Sequence, residues 1–175
     1  MSSPFSSFER PADSFLPQPD RHLLHLEQYM ARRINEERAA YRLSQLTSHA
    51  LLAAVARAHS AEMRDLNYFA HESPTRHLHT PANRYVYAYG HEPGFLSENV
   101  AWRRVETWTE MHGIRIGSNN AAGTITQEDV EVSHQGLMDS PGHRANILEP
   151  SIELQGVGIV ARGRELWVTQ LFSRR

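Results

Sequence analysis

Ser140-Pro141-Gly142-His143-Arg144-Ala145-Asn146-Ile147-Leu148 is the stretch on which the reading of this 175-residue chain turns. Pro141 fixes the backbone where the chain enters it, and Gly142 permits close approach just before the His143 imidazole. Arg144 to Leu148 then read as about one further helical turn. A histidine held in so shaped a loop is a candidate for a cleft. Upstream, Thr126 followed by Asp129 resembles a capping box with Asp in place of Glu, and predicts a helix to about Met138. Downstream, residues 154–161 and 166–172 are β-rich runs joined by Arg162-Gly163-Arg164, which predicts a hairpin.

Further from that stretch the chain alternates in the same way. Asp20 is the expected N-cap of a helix over residues 21–42, in which Leu23, Leu26, Met30 and Ile34 form one apolar stripe. Ser48 opens a second helix to about Leu66, with Leu52, Val55, His59, Met63 and Leu66 on one face. Pro74 ends the segment that follows it. Pro81 opens a short third helix that stops near Gly90. Residues 96–102 read as a strand. Gly113, Gly117, Gly123 and Asn119-Asn120 point to an irregular connection over residues 103–124. Helices before, between and after strands imply one mixed sheet covered by helices, an α/β (α+β) domain.

Composition narrows the class. Residues 1–20, rich in Ser and Pro, read as a flexible tail, and residues 21–175 as a single domain. All 18 basic residues are arginine, scattered and balanced by 20 acids for a net charge of −2, so no nucleic-acid face is expected. The absence of cysteine excludes disulfides, thiol nucleophiles and Cys-based zinc sites. The first 20 residues hold no apolar run of signal-peptide length, and no window approaches the roughly 18 apolar residues of a membrane span. The expectation is a cytoplasmic protein, or a sequence that is incomplete or already processed; the compartment stays open.

Three residues carry most of the candidate chemistry. His71 sits at the turn after the second helix, His143 in the loop quoted above, and Glu98 on the strand between them. Two imidazoles with a carboxylate suit a divalent metal, with Glu98 as a ligand or as base on a metal-bound water. The spacing alone is weak, because 72 residues separate the histidines and no HExxH pattern is present. His134, on the helix before His143, is a further cleft candidate. His59, in an apolar row, reads as a buried and hydrogen-bonded structural histidine. Arg144 and Asn146 read as braces of the His143 loop. Trp102, Trp108 and Trp167 read as packing residues, and His77, His79 and His91 as solvated.

Six segments recur in a known order. They are residues 59–63 (His-Ser-Ala-Glu-Met), 68–74 (Tyr-Phe-Ala-His-Glu-Ser-Pro), 98–101 (Glu-Asn-Val-Ala), 140–148, 156–158 (Gly-Val-Gly) and 167–170 (Trp-Val-Thr-Gln). From about residue 25 to 172 the chain resembles a bacterial member of the CAP superfamily. This superfamily, also called SCP/TAPS, groups cysteine-rich secretory proteins, venom-allergen antigens and plant pathogenesis-related proteins. The resemblance implies a three-layer α-β-α sandwich with a central cleft lined by two histidines and two acids, a site that holds zinc in some members. By motif position His71 and His143 match the histidines and Glu98 the first acid. The second acid has no match: Leu137 stands where the family often carries tryptophan, and Asp139, Glu131 and His134 are nearby alternatives. Ser97 replaces a glycine common before the Glu-Asn pair.

The resemblance implies, first, a non-catalytic module whose cleft takes a small ligand, a lipid or a protein segment and is able to hold Zn2+. A zinc-dependent hydrolase of peptide or ester bonds and a purely structural interaction module are the alternatives. No organic cofactor is expected.

Overall fold

The computed structural model describes residues 20–105, the backbone of 107–111 and 114–118, and residues 124–174. The tail expected over residues 1–20, save Asp20, and the side chain of Trp108 lie outside the described residues.

Helix α1 (Arg21–Ala40) starts where the sequence places it: the Asp20 carboxylate accepts from the backbone N–H groups of His22 and Leu23. The chain then extends through β1 (Thr47–Ser48) into α2 (Ala50–Asp65). A 3-10 turn (Arg76–Leu78) leads to α3 (Pro81–Tyr89), which Thr80 and Asn83 open as a reciprocal capping box and Gly90 closes in the left-handed region at φ 76°. Strand β2 (Leu96–Arg104) is followed by β3 (Thr107–Met111), β4 (Ile114–Ser118), α4 (Gln127–Asp139), α5 (Pro141–Ile147), β5 (Leu154–Arg162) and β6 (Glu165–Ser173). The Thr126–Asp129 capping box forms at the start of α4 as its sequence suggests.

Four strands make one sheet in the order β1-β5-β6-β2, parallel only between β1 and β5. The expected hairpin is β5–β6, in unbroken register from Leu154↔Ser173 to Arg162↔Glu165. Two expectations about strands are corrected. The connection over residues 103–124 contains a second, two-stranded sheet, β3 with β4, which its glycines and asparagines hid. Ser48 pairs in β1 rather than capping α2, so His49 takes the N-cap position, without a side-chain cap.

Strand alternation sorts the core into two faces. Val157, Ile159, Leu166, Val168 and Phe172 meet Leu26, Met30 and Ile34 of α1 and Val130 and Leu137 of α4. On the other face Leu171 packs with Leu52 and Val55 of α2 and Tyr85 of α3, while Val100, Val160 and Trp167 pack with Met63 of α2. The result is the three-layer α-β-α sandwich. Helix α2 presses so closely on β5 that a Cβ on Gly156 would stand 2.3 Å from the Leu52 carbonyl carbon, and one on Gly158 would stand 2.0 Å from the Arg57 nitrogen. This is the physical content of Gly156-Val157-Gly158. The open side of β5 is closed by a buried ion pair between the outer layers, Arg57 to Glu27 at 2.6 Å, and Glu27 also accepts the Ile159 N–H at 3.0 Å. Leu66, expected on the apolar face of α2, is its exposed C-cap instead. Among the described residues no helix is long and apolar enough to cross a membrane.

Candidate functional site

Strand β2 is an edge of the sheet, and the candidate site lies along it. Its residues alternate. Glu98 and Val100 face α2, and Asn99 and Ala101 face the layer of α1 and α4. A carboxylate at a buried position of a strand requires partners, and Glu98, with a side chain only 2% exposed, has two. Arg84 of α3 donates to its Oε2 at 2.6 Å, and the His71 Nδ1 lies 3.0 Å from its Oε1. Arg84 is itself buried and donates to the carbonyls of His71, Leu78 and His79, so one guanidinium fastens both the acid and the loop that presents the histidine.

The His71 loop is held from below as well. His59, buried on α2, places its Nε2 3.0 Å from the Ala70 carbonyl and 3.9 Å from Glu98 Oε1. One turn along α2, Glu62 accepts hydroxyl bonds from Ser73 at 2.8 Å, Thr75 at 2.5 Å and Tyr68 at 2.6 Å. Burial works to raise the Glu62 pKa, but the three hydroxyl donors outweigh it and the carboxyl lies below its ordinary range. Burial dominates at His59 and pushes it down, so that ring stays neutral. The residues flanking His71 are thereby nailed to α2, while the His71 side chain remains 48% exposed.

His143 reaches the same edge from the other layer. Asn99 donates to the His143 carbonyl at 3.1 Å and to Gln170 Oε1 at 3.0 Å, and accepts from Asn146 at 2.8 Å. Asn146 also donates to the Glu98 carbonyl. Helix α5 is thus stitched to β2 and β6 by side chains from three of the recurring segments. Arg38, fully buried, donates to the Ile147 and Glu149 carbonyls and closes the far end of that helix. His143 lies near enough to His71 to feel its charge. The hydrogen bond to Glu98 raises the pKa of His71, while burial first and His71 second lower that of His143. Near neutral pH this gives one imidazole braced by a carboxylate and one held neutral.

The remaining candidates lie elsewhere. His134 is fully buried between α4 and α1, with Nε2 3.8 Å from Glu37 Oε1 and neither ring nitrogen hydrogen-bonded among the described residues. It is not beside His71. Glu131 is engaged with Arg33 and Tyr29 of α1, and Asp139 accepts from Gln135 on the exposed side of α4. Arg144 and Asn146 brace α5, as expected. Trp167 packs in the core, whereas Trp102 is 46% exposed. His77 and His91 lie against tyrosine rings, and His79 Nδ1 is 2.8 Å from the Ser73 carbonyl. Two residues have parts in the site that the sequence did not assign, Arg84 and, although it lies in the 59–63 segment, Glu62. Their signal was indirect: Glu98 in an otherwise buried strand demands a cation, and Glu62 stands one helical turn from His59. Among the described residues no three His, Asp or Glu side chains converge closely enough to chelate an ion by themselves.

The model of the cysteine-rich secretory protein family, CAP, matches residues 31–172, which include every side chain of this site. The chain belongs to the CAP family. A curated relative, YkwD of Bacillus subtilis strain 168, is 32% identical over 141 residues, covering 80% of this chain and 44% of YkwD. The CAP chain therefore spans less than half the length of that relative. Among solved structures, the SCP-domain-containing extracellular protein of Bacillus anthracis strain Ames is similar with a TM-score of 0.68. It is 26% identical over 91% of this chain and 45% of its own. An outer surface protein of Borrelia burgdorferi shares the fold at a TM-score of 0.66 and 16% identity, covering 91% of this chain and 98% of its own. This CAP domain differs from its family's name in one respect, since it contains no cysteine.

Proposed function

We propose that this CAP domain is a non-catalytic binding module whose cleft along β2 takes a divalent metal between His71 and His143, with the remaining ligand positions filled by a small molecule, a lipid headgroup or a partner's polar group. The observation that carries this reading is the Arg84–Glu98–His71 chain of contacts. Glu98 accepts at Nδ1, which fixes the ring, raises its basicity and leaves Nε2 as the atom available to a ligand. Burial keeps His143 neutral, the form that binds a metal. A fold neighbour at 11% identity, NaASP2, was crystallised with Zn2+.

A binding role is favoured over hydrolysis by the donors. Glu98 is buried and clamped by Arg84, and the three hydroxyls occupy Glu62, so neither carboxylate is positioned to activate a water. Catalytic zinc ordinarily has three protein ligands, and two are supplied here. The test is a calorimetric zinc titration of chelator-stripped protein, with His71→Ala and His143→Ala variants first shown folded by circular dichroism. The expected result is one zinc per chain, lost in each variant, and about 10- to 100-fold weaker in Glu98→Gln. Zinc binding indifferent to both histidines, or none in the wild type, would remove this reading.

A further inference from the structure

The opposite edge of the sheet, at β1, carries a second and differently built site. Thr47 donates its N–H to the carbonyl of Glu153, just before β5, and His49 to that of Gln155 in β5. Backbone groups alternate sides along an extended chain, so those of Leu46 and Ser48 point away from the sheet. Those of Leu46 are already met: Asn35 of α1 donates to the Leu46 carbonyl at 3.1 Å and accepts its N–H at 2.8 Å, imitating one residue of a neighbouring strand. Beside it Ser48 opens on a pocket of about 280 Å3, lined by Gln28, Ala31, Arg32, Asn35, Ser48 and Gln155. Nothing among the described residues bonds the outward groups of Ser48.

Two further features say what the pocket lacks. Gln155, 1% exposed, donates its amide nitrogen to the Ala31 carbonyl at 3.2 Å, which fixes the orientation of the amide and leaves its Oε1 buried without a donor. A buried acceptor left unmet is costly, so the site favours a ligand that brings N–H groups. Arg32 stands at the rim over the Tyr29 ring. Neighbouring acids do not neutralise it, because Glu36 is paired with Arg33 and Glu27 with Arg57. The pocket thus offers a strand edge and an unmet acceptor beside a cation, in a volume just below that of ligand clefts, room for a chain end rather than a whole ligand.

We infer that this pocket binds the free C-terminal end of an extended peptide. The peptide would continue the pattern that Asn35 begins, pairing with the Ser48 backbone and donating an N–H to Gln155, with its terminal carboxylate on Arg32. The site is independent of the His71–His143 cleft, which lies at the other edge of the sheet.

The test uses the full chain, 15N-labelled, titrated with N-acetyl-alanyl-alanine and, separately, with its C-terminal amide. The inference expects saturable shifts at the Ser48 and Gln155 signals, and binding at least about tenfold weaker for the amide. Arg32→Ala, an exposed position whose retained fold the same spectra verify, should abolish the preference for the acid, and Arg32→Lys should restore part of it. His71→Ala should leave both titrations unchanged. The inference is overturned by the absence of saturable shifts at Ser48 and Gln155, by equal binding of acid and amide, or by shifts centred on the His71–His143 cleft.

Discussion

Removing the Glu98 carboxylate tests the site's electrostatic logic. Its Oε2 accepts from Arg84 at 2.6 Å, and both side chains are at most 2% exposed. Glu98→Ala leaves a guanidinium in the interior whose other acceptors are three backbone carbonyls, with no counter-charge. Breaking one side of a buried pair costs about 3–5 kcal/mol. Glu98→Gln keeps a neutral acceptor for Arg84 and should cost less, about 1–3 kcal/mol. Urea denaturation at pH 7, followed by circular dichroism, measures both as shifts in midpoint at constant slope. The two variants also separate structure from tuning: in Glu98→Gln the His71 pKa should fall back toward the ordinary histidine value, because the hydrogen bond to the carboxylate is what raises it. A Glu98→Ala variant within about 1 kcal/mol of wild type would mean that Arg84 does not rely on Glu98 for its charge balance.

Other consequences follow from packing and burial. Gly158→Ala requires α2 to back away by about 1.4 Å to bring the 2.0 Å contact to an ordinary 3.4 Å, against the Glu27–Arg57 pair, and should cost more than about 3 kcal/mol in the same denaturation assay. Asn99→Ala removes a buried amide that meets His143, Asn146 and Gln170; a loss of about 2–3 kcal/mol and a displaced His143 resonance are expected. Burial lowers the pKa of His134, so the folded state binds fewer protons than the unfolded state below about pH 6.5. The stability contributed by its neutral form is complete above that pH and is lost as pH falls toward the folded pKa. Replacing it by leucine should change stability by less than about 1 kcal/mol at pH 7 and flatten the decline between pH 7 and 5, as read from urea midpoints.

The fold was legible where local chemistry and packing agree. The Asp20 cap, the Thr126–Asp129 box, the β5–β6 hairpin and the apolar stripe of α1 each formed because one segment holds the whole signal. The place of Ser48 is not legible because a two-residue strand has no period to read, and its pairing with Gln155 spans more than a hundred residues. His71, His143 and Glu98 are legible from motif order, but their partners are not. Arg84 lies 14 residues from Glu98, and its part is defined only when α3 folds over the His71 loop. His134 illustrates the converse: its nearness to His143 in sequence suggested the cleft, yet the break at Ser140-Pro141 separates α4 from α5 and leaves the ring facing α1.

The most direct test of the central claim follows the imidazole nitrogens of His71 and His143 by long-range 15N NMR, first across pH in metal-stripped protein and then with zinc. His71 is expected to titrate above the ordinary histidine value and His143 below it, and one equivalent of zinc to shift both rings together. Titrations in the reverse order, or a zinc titration that leaves both rings unmoved, would contradict it.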